Sequence, residues 1–223
     1  MAEYPATIAR RVDHEIEIKR SRFLAHLVPV SSVDDADAAI AGIRKEFWDA
    51  RHNCVAMVTG VSGDQARSSD DGEPSGTAGV PMLEVLRRRG MTDVVAVVTR
   101  YFGGVKLGAG GLVRAYGNAV SEALDRAQLV RRRALTHAVI EAPHADAGRI
   151  ENLLREWASA RDAVLADPEY GQAARLGVWA PPDQLAPLAA DVAAWSSGAL
   201  GVEAGETAIV DVAEPRAGRA AGA

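Results

Sequence analysis

The chain has 223 residues, a formal net charge of −5 and a hydrophobic fraction of 48%, enough to bury a core without disulfides or metal. Its single cysteine, Cys54, excludes an internal disulfide framework and a cysteine-rich zinc site. The longest strongly apolar run, Val94–Val98, is far too short to span a membrane, and the N-terminus lacks the apolar core of a signal peptide. A cytoplasmic chain with no membrane partner is therefore expected.

Residues 22–30 (RFLAHLVPV) read as a strand closed by Pro29 and Ser31. An amphipathic helix follows, with Ala36, Ile40, Ile43 and Phe47 at helical spacing behind Ser32 and Asp34. Asn53–Thr59 is a second strand, and from Val61 to Gly79 the pattern dissolves into Ser, Asp and Gly. Pro81 opens a short helix through Leu83, Val85 and Leu86. Asp93–Tyr101 is the plainest strand, a β-branched run of the kind buried on both faces. A glycine-rich loop and a helix over about residues 112–127 come next, and Arg131–Arg133 read as a solvated linker.

Beyond the linker lie strand Thr136–Ala142, helix Ala145–Ala158, strands Asp162–Ala166 and Ala173–Trp179, helix Asp183–Trp195 and strand Glu203–Asp211. That order, βαββαβ, is the ferredoxin-like arrangement. Charge changes at the same place: residues 1–133 carry 19 basic and 17 acidic side chains, residues 134–223 carry 6 and 13. Two domains are expected, 1–133 and 134–212, with a disordered tail over 213–223. Neither half has the basic excess that makes nucleic acid the default partner.

Three segments carry chemistry. The first runs from Asp70 through Asp71, Gly72, Glu73, Pro74, Ser75, Gly76 and Thr77 to Gly79. Its carboxylates suit a cation or a basic group, and its glycine-exposed amides suit an anion; a plain solvated turn is the competing reading. The second joins Arg100 and Tyr101 to Gly103, Gly104, Lys106, Gly108, Gly110, Gly111 and Arg114. Strand, glycine-rich loop and helix in that order place free helix N–H groups beside a bound anion, with Arg100, Lys106 and Arg114 to neutralise it. It is neither a Walker loop nor a dinucleotide fingerprint, and glycines serving only tight turns remain the alternative. The third is His52 and Cys54, neighbours on one strand face. They read either as a nucleophile pair or as a packed, unreactive cysteine beside a histidine.

The stretches EIKRSRFLAH, ARHNCVA, SDDGEPSGTAGVPML and VVAVVTRYFGGVKLGAGGLVRAYG, taken in order, resemble the IMPACT family, called YigZ-like in bacteria. The resemblance covers roughly residues 5–130, and residues 136–212 resemble the ferredoxin-like domain that follows in bacterial members. It implies a mixed α/β (α+β) protein. The first domain would have the fold shared by domain four of elongation factor G, a ribosomal small-subunit protein and galactokinase-type kinases. The second would be like the last domain of that elongation factor. Eukaryotic members regulate translation by restraining a starvation-sensing kinase through an additional N-terminal domain. The present chain is expected to lack that domain, so the kinase is not carried over.

Two readings follow. In the first the chain is a non-enzymatic binding protein linked to translation, recognising RNA or a ribosome-associated partner. Arg20, Arg22, Arg100, Lys106 and Arg114 would contact phosphate, and Tyr101 and Phe102 would offer stacking faces. In the second it is an enzyme acting on a phosphorylated small molecule or nucleotide, with Asp70, Asp71 and Glu73 holding magnesium. No residue is named as catalytic, no cofactor is required by the first reading, and the sequence leaves the oligomeric state open.

Overall fold

The computed structural model describes residues 4–213. Of the tail expected over 213–223, Ala213 is the last residue of a strand and 214–223 lie outside the described residues. Contacts divide the chain into two units, Tyr4–Arg131 and Arg132–Val212.

The first unit is built on a five-stranded sheet in the order β2 (Val12–Ile18), β3 (Ser21–Pro29), β6 (Val94–Tyr101), β4 (His52–Thr59), β5 (Gln65–Ser69). Every neighbouring pair is antiparallel. Helix α1 (Val33–Glu46) covers one face, while α2 (Gly79–Arg88) and α3 (Ala109–Leu124) cover the other. The central strand shows why both faces must be covered. Val94, Ala96 and Val98 join the cluster under α2 and α3, and Val95 and Val97 join the one under α1. A continuous apolar run thus marks a strand buried twice over, here in an antiparallel sheet. A two-residue β1 (Thr7–Ile8) pairs with the start of β7 (Leu129–Ala142).

Helix α1 begins where Ser32 accepts a hydrogen bond from the Asp35 N–H (3.1 Å), with Asp34 and Asp35 in its first turn and Arg44 and Lys45 in its last. Those charges oppose the helix dipole at both ends. Helix α2 starts at Gly79, so Pro81 sits inside its first turn rather than opening it. Helix α3 starts and ends about three residues earlier than the glycines suggested, with Gly108 as its N-cap at φ +73°.

In the second unit β7, β8 (Val164–Leu165), β10 (Ala174–Ala180) and β11 (Glu203–Ala213) form a sheet in the order β11–β7–β10–β8, with a short β9 (Glu169–Tyr170) beside β10. Helices α4 (His144–Ser159) and α5 (Leu185–Trp195) pack on its apolar face through Ile150, Leu154, Leu188 and Val192. This is the ferredoxin-like order expected from the sequence. The triplet Arg131–Arg133, expected as a solvated linker, is instead part of β7. Arg132 pairs with Asp211 (3.0 Å) and Arg133 with Asp162 (2.8 Å), so both arginines are structural cations of the second unit.

Candidate functional site

The two motif segments meet at one end of the first unit's sheet. Asp70, Asp71 and Glu73, expected to face a shared cation, go three separate ways. Asp70 accepts from the backbone N–H groups of Gly76 (2.7 Å), Ala78 (3.0 Å) and Gly79 (2.8 Å). Helix α2 has no capping side chain at Ala78 and no acidic residue in its first turn, so Asp70 supplies both from outside the helix. Burial pulls the Asp70 carboxyl upward, but the three N–H donors outweigh it and hold it below the ordinary value.

Asp71, at φ +44°, accepts from the Asn53 N–H (2.7 Å) and from Arg44 (3.0 Å). Its carbonyl bonds His52 Nδ1 at 2.8 Å. Glu73 turns into the core, its side chain 4% exposed, and accepts on one oxygen from Arg100 (2.5 Å) and from the Tyr116 hydroxyl (2.8 Å). Arg100 is 7% exposed and lies between the rings of Phe23 and Phe102, at 5.4 and 5.7 Å. Among the described residues no three His, Cys, Asp or Glu side chains converge as a metal site. Asp70, Asp71 and Glu73, named above for magnesium, are instead each committed to separate partners within the fold.

Gly72 packs against the His52 ring, where an added Cβ would lie 3.5 Å from Cε1, and Thr77 donates to the Pro74 carbonyl (2.6 Å). Gly76 takes φ +75°, the left-handed region that a side chain disfavours. Cys54 is buried and its Sγ lies 3.0 Å from the Asp70 carbonyl. Burial pushes the thiol up to about 12, which favours the packed, unreactive reading of Cys54 over the nucleophile pair. We expect alkylation by iodoacetamide to be far slower for the native protein than for the denatured one. A native thiol reacting at the denatured rate would restore the nucleophile reading.

The glycine-rich loop leans on the hairpin between β2 and β3. Lys19 and Arg20 occupy that turn at φ +48° and +66°, a conformation usually given to Asn-Gly. Strain of this kind costs roughly 1–2 kcal/mol per residue. Gly103 N–H donates to Ser21 Oγ (3.1 Å), and a Cβ on Gly103 would overlap the Arg20 carbonyl. Gly111 is also confined, with Leu107 Cβ 2.9 Å from an added Cβ. Gly104, at φ +84°, and Gly108 need the left-handed region but have open space. Gly110 is an ordinary helical residue facing open space.

Of the expected basic residues only Arg100 reaches the acidic loop. Arg22 holds Glu15 with two bonds (2.6 and 2.8 Å) and stands 5.5 Å over the Tyr101 ring. Arg20, Lys106 and Arg114 are exposed. Arg114 lines a groove of about 580 Å3 between α2 and α3 with Arg88, Arg89, Val113 and Gly117. The sequence reading missed Arg44, Asn53 and Tyr116. Tyr116 lay in a stripe of apolar helix positions, and nothing local shows that its hydroxyl ends on a carboxylate 43 residues away.

No helix among the described residues is long and apolar enough to cross a membrane. Residues 19–124 match the Impact N-terminal domain, and residues 140–199 match a domain of unknown function, DUF1949. The chain is 51% identical to the IMPACT family member YvyE of Bacillus subtilis over 67% of its own length and 69% of the relative's. It is 40% identical to the IMPACT family member YigZ of Escherichia coli over 82% and 89%. With Protein IMPACT of Rattus norvegicus it shares 34% identity over 40% of this chain and 29% of that one. A crystal structure described as a hypothetical protein aligns with a TM-score of 0.56 at 37% identity, covering 92% of this chain and 99% of that chain. With both domains matched, and most of the length of its bacterial relatives covered, the chain belongs to the IMPACT family.

Proposed function

We propose that this protein is a non-enzymatic binding protein associated with translation, and that the rim around its glycine-rich loop takes RNA. The observation that carries the reading is the division of charge. The three carboxylates of the acidic loop are each engaged within the fold. Lys19, Arg20, Lys106 and Arg114 are exposed and make no ion pair among the described residues. An overall acidic chain thereby presents uncommitted cations where the hairpin of Lys19 and Arg20 meets the glycine-rich loop of Lys106, with Arg114 on the groove between α2 and α3, which is what a phosphate backbone requires. Phe102, 55% exposed beside it, adds an aromatic face. Family membership supports the link to translation.

The competing reading, an enzyme using magnesium on a phosphorylated small molecule, would need the acidic loop rebuilt. Freeing its carboxylates means uncapping α2 and exposing Arg100. Binding of a short, labelled, unstructured RNA measured by anisotropy across a salt series separates the two. Lys106→Ala and Arg20→Ala should each weaken binding and lower the slope of log K against log salt by about 0.7, one single-strand phosphate contact. RNA binding that ignores both substitutions, or no salt-dependent binding by the native protein, would overturn the proposal.

A further inference from the structure

Trp48 follows α1 and is 81% exposed, the highest value among the large hydrophobic side chains described. An indole in water forfeits the burial that its size would bring. It stands next to Asp49, whose carboxylate accepts the Tyr101 hydroxyl at 2.8 Å. The segment after α1 is thus tied to the end of β6, where Tyr101 lies under Arg22 and Phe102 beside Arg100. The charges around the indole are unequal. Lys45 and Arg51 are exposed with no ion pair among the described residues, while Glu46 is paired with Arg11 (3.4 Å), which leaves two cations against the one carboxylate of Asp49, itself bonded by the Tyr101 hydroxyl.

An exposed ring with two uncommitted cations three residues away on either side in the chain suits a nucleotide, the base on the ring and the phosphate on a cation. A protein partner would call for a contiguous apolar surround, and here the other exposed residues within three positions of Trp48, Lys45, Glu46, Asp49 and Arg51, are all charged. A duplex keeps its base faces stacked and could not use the ring. We infer that Trp48 is a stacking site for an unpaired nucleobase, which makes the RNA bound by the first unit single-stranded. This inference rests on the RNA reading above.

The test uses the full chain with a labelled oligouridylate and, separately, a duplex of similar length. Trp48→Ala should weaken oligouridylate binding about 5- to 150-fold, the usual range for losing one stacked base. The salt slope should stay unchanged, because no phosphate contact is removed. Trp48→Phe should recover most of the loss, and the duplex should bind more weakly than the single strand. Oligouridylate binding by Trp48→Ala equal to native would overturn the stacking site while leaving the RNA reading in place. Loss by Trp48→Ala of a bound protein, with RNA binding untouched, would reassign the ring to a protein surface. Absence of binding to either RNA by the native protein would remove the RNA reading, and the stacking site with it.

Discussion

Replacing Glu73 with alanine should destabilise the first unit by about 3–5 kcal/mol, the cost of leaving one partner of a buried ion pair uncompensated. The side chain is 4% exposed and serves two donors at once, Arg100 at 2.5 Å and the Tyr116 hydroxyl at 2.8 Å. Removing it strands a guanidinium whose Nε already lacks a partner among the described residues. Hydrogen exchange of β4 and β6 amides would report the loss, since these strands form the middle of the sheet. A double variant, Glu73→Leu with Arg100→Met, should recover much of the stability, because replacing a buried pair with apolar side chains is often neutral. RNA binding in that variant then says whether the pair serves more than stability. Protection in Glu73→Ala equal to native would mean that the pair contributes nothing to holding the loop.

Which parts of this arrangement could be read in advance follows from where the information lies. Val94–Val98 announced a doubly buried strand because burial on both faces leaves no polar position. It did not announce antiparallel neighbours, since sheets covered by helices on both faces produce the same run either way. β2 carries the period-two pattern of a half-buried strand, with acidic side chains at its outward positions in VDHEIEI, so it is legible in the sequence although it is not among the elements expected above. β5 could not be read at all: QARSS is polar and mostly exposed, and only pairing with β4 makes it a strand. The acidic loop was recognised as a shaped polar segment, but the task of each carboxylate depends on donors from elsewhere. Asp70 caps a helix that starts nine residues later, Asp71 reaches α1, and Glu73 reaches the core. Expecting a common cation treated sequence neighbours as spatial neighbours. The hairpin at Lys19 and Arg20 shows the same limit, because a turn of this type is normally signalled by Asn-Gly.

The second large effect is expected at Gly103. A Cβ there would fall within the Arg20 carbonyl and 2.5 Å from Ser21 N, closer than any real contact of this kind. The obstruction is the Arg20–Ser21 peptide group itself, so no rotamer change relieves it. Arg20 cannot easily retreat, because its turn already holds two non-glycine residues at positive φ and its neighbour Ser21 is buried. Gly103→Ala should therefore cost at least the upper end of the 1–3 kcal/mol usual for overpacking, and it should separate the glycine-rich loop from the hairpin. Gly110→Ala, at a helical position with nothing within 4 Å of the new Cβ, is the control. It should be neutral or gain up to about 1 kcal/mol from helix propensity. Both variants compared by hydrogen exchange at β3 and β6, and by oligouridylate binding, separate two meanings of a glycine-rich loop. If both cut binding while the protein stays folded, the glycines approach the ligand. If only Gly103→Ala does so, and in step with lost protection at β3, that glycine acts by letting loop and hairpin touch, and the cations Lys19, Arg20 and Lys106 are what the contact brings to one edge. Tolerance of Gly103→Ala without loss of protection would mean that loop and hairpin do not pack as described.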